Sequence, residues 1–316
     1  MKTNFLFFFV FASVTFSGFS QDPLFVNSQQ SLVYLNPSFA GSNGLLRTQS
    51  VCRTPDRYAL STLYTSTTLY NGVDVYIKAL KGGIAITHLH DDYKHGTLKT
   101  DVVALTYAQY FSLLDNRLKI IPSIQAAYLS KTLDKNKLSF WDPILSKEGC
   151  ASQWPCGPLN DQNKRNADFS SGLLVNYKEF YFGASLLHLS QPNVGLVGDS
   201  RLPAKLTIHS SYNQRLNMWI MANIFGQYQR HEENHFAQAK INFLFVNHVI
   251  FGLGYHSNNS ASANIGYKNQ FFTIGMGYDQ RVTLYTDQLN GGWEAHFSLN
   301  IRKKEDRKTV TAFERW

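Results

Sequence analysis

Polar and apolar residues alternate with period two along much of this chain. Over residues 293–302, Trp293, Ala295, Phe297, Leu299 and Ile301 fall on one face, and Glu294, His296, Ser298, Asn300 and Arg302 on the other. Successive strand side chains point to opposite faces, so the segment carries one apolar and one polar surface. Leu206, Ile208 and Tyr212 oppose Lys205, Thr207, His209, Ser211 and Arg215 in the same way, and Leu118, Ile120, Ile124, Ala126 and Tyr128 form one face of another segment. The pattern predicts fourteen strands, at 45–53, 56–68, 82–90, 98–111, 117–131, 166–177, 180–190, 204–215, 217–229, 234–246, 248–257, 260–268, 270–280 and 293–301. Asp115-Asn116, Lys178-Glu179, Asn258-Asn259 and Asn269-Gln270 predict tight turns between them.

Strands with one lipid-facing and one water-facing side build a transmembrane β-barrel. The fold class is therefore all-β: a barrel of about 14 antiparallel strands, preceded by a segment that is not strand. In hydrocarbon an unpaired backbone group costs several kcal/mol, so the first strand is expected to pair with the last.

Residues 1–20 predict how the chain reaches a membrane. Lys2 precedes an apolar run from Phe5 to Phe16, and Gly18 and Ser20 are the small residues that signal cleavage requires. The run is too short for a spanning helix and no basic flank follows it. The expected organisation is a signal peptide at 1–20, a plug or periplasmic segment at 21–43, a barrel at 44–302 and a charged tail at 303–316. The expected location is the outer membrane.

Composition narrows the alternatives. Aromatic residues make up 14% of the chain and mean hydropathy is only −0.24, as expected when alternate residues face lipid and aromatic girdles mark the interfaces. The net charge of +8 is scattered rather than clustered, which argues against nucleic acid as a partner. The stretch from Leu133 to Ala167 is rich in Asp, Asn, Lys, Pro and Gly and predicts a long loop, a class that is usually functional or disordered. Within it Cys150 and Cys156 bracket Trp154 and Pro155. In an oxidising envelope they either close a small disulfide ring or remain two thiols, with Cys52 left over.

Three clusters invite catalytic or metal readings. His231-Glu232-Glu233-Asn234-His235 matches a zinc-protease pattern, which requires a helix, yet its flanks read as strands joined by a hairpin turn. His256 and Ser257 are adjacent on a strand, so their side chains diverge and the imidazole does not activate the hydroxyl. His88 and His90 share a face near Asp91, Asp92 and His95, as a cation site or, more commonly, a solvated strand end. No nucleophile elbow, phosphate loop or dinucleotide fingerprint is present, so neither an enzyme nor a cofactor is expected.

The segment 21–43 carries Pro23, Pro37 and Gly41, which suit turns better than a sheet, yet it is apolar at Leu24, Phe25, Val26, Leu32, Tyr34, Leu35 and Phe39. It must bury that surface by plugging the lumen or by docking on a periplasmic partner. Gln21-Asp22-Pro23-Leu24-Phe25 and Leu35-Asn36-Pro37-Ser38-Phe39-Ala40-Gly41-Ser42 resemble the opening of the PorP/SprF family of type IX secretion system membrane proteins. Asp142-Pro143, the run Asn166 to Leu174, Tyr181 to Ser185, Leu187 to Asn193, Gly277-Tyr278-Asp279 and Gly292 to Glu294 are similar to later family segments in order. Val51 to Pro55 replaces the family's Tyr-Arg-Asn-Gln-Trp stretch, and the tail from Lys303 runs past a typical final strand.

The resemblance implies an outer-membrane barrel that works with the type IX machinery to secrete or display a client bearing a C-terminal sorting domain, gliding adhesins included. The expected partner contacts are Asp22, Pro23, Asn36, Pro37 and Phe39 of the leader and Trp154 and Pro155 of the long loop, with outer-membrane lipid around the barrel. The alternative is a transport barrel for small hydrophobic solutes.

Overall fold

The computed structural model describes residues 22–44, 46–55, 66–93, 96–115, 117–134, 137, 162–196, 198–282 and 291–301. Its strands are β1 Leu46–Pro55, β2 Ser66–Ile77, β3 Gly82–Tyr93, β4 Leu98–Gln109, β5 Phe111–Leu113, β6 Leu118–Leu133, β7 Gln162–Tyr177 and β8 Phe180–Leu187. They continue with β9 Lys205–Arg215, β10 Ile220–His231, β11 Asn234–Phe245, β12 Val249–His256, β13 Ser260–Lys268, β14 Phe272–Arg281 and β15 Gly291–Ile301.

All pairings are antiparallel, and the sheet closes on itself. β1 pairs with β15 from Leu46↔Ile301 to Pro55↔Gly292, so the first and last strands meet as the chemistry of hydrocarbon requires. Fourteen strands form the closed barrel, and β5 is a short extra strand beyond β4 that pairs with the same neighbour, β6. The ladder lapses between Ala108↔Ser123 and Phe111↔Ile120, opposite Pro122, which has no N–H to donate.

The alternation has the expected outcome. In β15, Glu294, His296 and Ser298 are buried in the lumen, while Trp293, Phe297 and Ile301 face outward and are exposed. Outward aromatics form two girdles, with Tyr177, Tyr212, Trp219 and Tyr267 near the end that carries β1's start and β15's finish, and Tyr128, Tyr228, Tyr255 and Trp293 towards the far end. Connections at the first end are tight, as at 114–117 and 178–179, whereas the far end carries 134–161 and 188–204.

Most strand ends move by three residues or fewer from the sequence pattern, and two strands depart further. The second strand is Ser66–Ile77 rather than 56–68. Val73, Asp74 and Val75 alternate as a barrel strand should, but Asn71 faces outward and Tyr70 inward, which interrupts the pattern. β7 starts at Gln162 rather than Asn166, because Asn163, Lys164 and Arg165, polar on both faces, still pair with Ser130 to Thr132.

Candidate functional site

Residues 22–44 plug the lumen. Three short turns of helix, Ser28–Gln30, Leu32–Leu35 and Pro37–Phe39, fold the segment against the inner wall. Val33, Leu35, Phe39 and Ala40 pack with Ala85, Ala108, Ile121, Leu174, Tyr181 and Phe225, which project inward from six strands. Phe25 packs with Tyr34, Val51 and Tyr70 in a second cluster, edge-on to Tyr34 at 5.3 Å. Burial of this apolar surface is what turns the leader inward.

Polar contacts fix its register. Glu294 accepts the backbone N–H of Val26 at 2.6 Å and of Asn27 at 3.0 Å, while Gln238 donates to the Val26 carbonyl at 2.9 Å. Asn36 is fully buried, and its amide nitrogen lies 3.2 Å from the carbonyls of Leu173 and Ala184 and 3.1 Å from Nε2 of His209. Its Oδ1 accepts the N–H of Ser38 at 2.9 Å and so caps the turn that Pro37 begins, where no N–H is needed. Phe39 stacks on His209 and meets Tyr181 edge-on, each at 5.5 Å. Farther along, Gly41 donates to Asp74, whose carboxylate also takes Arg47 at 2.8 Å. Gly83 lets the plug backbone pass close to the wall, because a Cβ there would lie 1.9 Å from the Ala40 carbonyl oxygen.

At the far end the leader is latched by charge. Oδ2 of Asp22 accepts Nζ of Lys205 at 2.9 Å and Nε2 of His188 at 3.1 Å, and Nδ1 of His188 donates to Asp168 at 2.6 Å. Burial alone would raise the Asp22 carboxyl, but Lys205 and His188 hold it well below the usual carboxylate range. Burial would likewise lower His188, and Asp22 with Asp168 instead push it up to about 9. Pro23 adds a carbonyl that accepts the Tyr34 hydroxyl at 3.0 Å.

Two cavities flank the plug. One, of about 440 Å³, is lined by the plug's Asn27, Gln29 and Asn43 together with Asn223, Asn242 and Asn300 of the wall. The other, of about 90 Å³, lies beside Asp22, Tyr34, Tyr70, His188 and Leu202. Among the described residues they share no lining residue, and the plug stands between them.

Residues 17–299 match the family model described as type IX secretion system membrane protein PorP/SprF. The chain belongs to the PorP/SprF family. No curated protein matches the chain. Among solved structures, the Pseudomonas putida toluene transporter TodX is similar with 10% identity and a TM-score of 0.50, over 85% of this chain and 93% of that one. The Acinetobacter baumannii outer membrane protein Omp33 has 9% identity and a TM-score of 0.46, over 82% and 100%. The CymD monoaromatic hydrocarbon channel has 10% identity and a TM-score of 0.48, over 87% and 93%. At such identities the likeness to TodX is one of fold, that of outer-membrane barrels. Family and fold together make this PorP/SprF protein a type IX secretion component of the outer-membrane barrel kind.

The PorP/SprF leader residues expected to touch partners lie inside the barrel. Asn36, Pro37 and Phe39 are buried against the wall, and Asp22 and Pro23 are half-buried near the far end. Trp154, Pro155, Cys150, Cys156 and His95 lie outside the described residues, and Cys52 on β1 is half-buried and free. Lys205 stands on the polar face of β9 and His188 in the family-like run Leu187 to Asn193, but nothing in the sequence joins either to Asp22.

The motifs that suggested chemistry in this PorP/SprF chain resolve into wall and turn contacts. His231 and His235 flank a hairpin turn at Glu232 and Glu233; His231 points inward near the Pro203 carbonyl, and His235 outward to the Tyr228 hydroxyl. His256 is buried beside Gln238 and Ser262, whereas Ser257 accepts the N–H of Ala237. His88 and His90 both contact Oδ1 of Asp101, at 3.2 and 2.8 Å. Among the described residues no group of three or more His, Cys, Asp or Glu is arranged to hold a metal ion.

Proposed function

We propose that this barrel is a plugged recognition scaffold. It binds a client protein with a C-terminal sorting domain at the far end and helps to secrete or display it, with gliding adhesins among the candidate clients. The terminus end, with its short turns, faces the periplasm and the type IX machinery, as connection lengths in outer-membrane barrels suggest. The client surface is the long connection 134–161, which holds Trp154 and Pro155, together with the rim formed by Asp22, Pro23 and the segment between Leu187 and Lys205. Asn36, Pro37 and Phe39 serve that surface by seating the leader.

The observation that carries this reading is the plug itself. It occupies the lumen through an apolar cluster and is bonded to the wall at Glu294, Leu173, Asp74 and Lys205. A conduit for small hydrophobic solutes needs a continuous apolar path, and here the wall presents Asn223, Gln238, Asn242 and Ser262 to a lumen occupied by chain. Recognition rather than catalysis or transport fits that interior.

The test is deletion of residues 147–160, a cut that spares the first pairs of β7. At matched barrel levels in the outer membrane, the deletion strain is expected to lose the client from the cell surface. Wild-type retention would remove the client site from this loop.

A further inference from the structure

The larger cavity opens at the terminus end. Asn247, His248, Asn269 and Gln270 at its mouth belong to turns of that end, and it reaches three strand positions inward, to Asn223, Asn242 and Ser298, a depth of roughly 10 Å. Its volume of about 440 Å³ lies within the roughly 300–1,000 Å³ of pockets that hold ligands. Wall strands and plug together build it.

The lining selects the kind of ligand. Twelve of its residues are Asn or Gln and none is Asp or Glu. Each carboxamide offers a carbonyl acceptor and two N–H donors, which match the N–H and C=O of a peptide unit. The deeper ones hold one another in place: Gln29 donates to Asn223 at 3.1 Å, Asn223 to Asn213 at 2.6 Å and Asn242 to Gln29 at 2.9 Å. A saccharide would seek an aromatic face to stack on, but of the lining rings Tyr181 packs on Phe39 and His248 on Tyr267. Lipid chains lie outside the wall.

Charge gives the ligand a sign. Among the described residues the turns at this end, with the strand residues next to them, carry Lys78, Lys81, Arg117, Lys178, Arg215 and Lys268 against Asp115 and Glu179. Arg47 in the cavity is already paired with Asp74, whereas Arg215 is exposed at the lip and has no ion-pair partner among the described residues. We propose that this cavity receives an extended, acidic peptide segment of a periplasmic protein. The segment's main chain pairs with the carboxamides, and one of its carboxylates with the Arg215 guanidinium. The periplasmic source rests on the orientation proposed above, with the terminus end inward; the peptide chemistry comes from the cavity itself.

A photo-reactive benzophenone side chain introduced at residue 270 of the full-length protein in native outer membranes is expected to form an adduct with a periplasmic protein, attached within a stretch rich in Asp and Glu. Made as a peptide, that stretch should bind the purified barrel in lipid nanodiscs, about tenfold more weakly after Arg215→Glu and unchanged after Arg201→Glu at the far end. An adduct to lipid, to glycan or to a stretch without carboxylates, no adduct from a folded barrel, or binding indifferent to Arg215→Glu would overturn the peptide site. Orientation is read separately: in a background free of native cysteines, Gln270→Cys should react with an impermeant maleimide only after the envelope is opened. Reaction in intact cells would overturn the periplasmic source, whatever the adduct.

Discussion

Glu294, on the last strand, receives the backbone N–H of Val26, on the leader, at 2.6 Å across a separation of 268 residues. The same carboxylate takes Asn27, so one side chain of the wall satisfies two backbone donors of the plug. Hydrogen bonds to charged groups contribute about 1.5–3 kcal/mol each, and their loss leaves both donors buried without a partner. Glu294→Ala is therefore expected to loosen the plug without opening the sheet. In a background free of native cysteines, the variant Ser31→Cys should react with an impermeant maleimide at least tenfold faster once Glu294 is replaced, since about 1.4 kcal/mol is a factor of ten. An unchanged rate would mean that the apolar cluster alone seats the leader.

The Asp22 latch makes the far end sensitive to pH in a defined direction. His188 is raised to about 9, so its contribution is complete below its ordinary value and is lost as pH rises through about 9. Asp22 is held low, so its contribution is present above the ordinary carboxylate range and is lost as pH falls through its depressed value. Protease accessibility at Asp22 and Pro23 should be lowest between these limits and should rise on the alkaline side. His188→Gln should abolish the alkaline step; its persistence would place the titration elsewhere.

Gly83 sets how closely plug and wall approach. Gly83→Val puts new atoms against the Ala40 carbonyl, and overpacking of this kind costs about 1–3 kcal/mol. The expected result is a displaced plug in a barrel that still migrates faster unboiled than boiled on a detergent gel. Equal Ser31→Cys labelling with and without the substitution would contradict the close approach.

Faces can be checked on the last strand. Leu299 faces outward, whereas Ser298 is buried and lines the larger cavity. Leu299→Arg should impair membrane assembly more than Ser298→Arg, because an Arg facing lipid costs about 2–4 kcal/mol at mid-depth and up to about 1 kcal/mol near an interface, whereas Ser298 already borders a polar cavity. Equal membrane yields would reverse the two faces.

Legibility in the sequence followed physical cause. Strands β9 and β15 could be read because lipid and lumen impose opposite chemistry on alternate residues. β2 could not, because Asn71 faces out and Tyr70 faces in, which breaks the alternation that Val73, Asp74 and Val75 keep. The leader's proline and glycine positions excluded a strand, and its apolar residues required burial, but both plugging and docking met that requirement. Asn36 was legible as part of a motif and not as a hub, because Leu173, Ala184 and His209 come to it from three strands more than a hundred residues away in the chain. The latch depends on Asp22 meeting Lys205 across 183 residues, a contact that only barrel closure creates.

The central claim, that the lumen is closed by residues 22–44 and that the barrel recognises rather than conducts, is tested most directly by current through single barrels in a planar bilayer. Full-length protein is expected to show no steady conductance, and Glu294→Ala combined with Gly83→Val is expected to open a stable current. A steady current through the unmodified barrel, equal to that of the double variant, would contradict it.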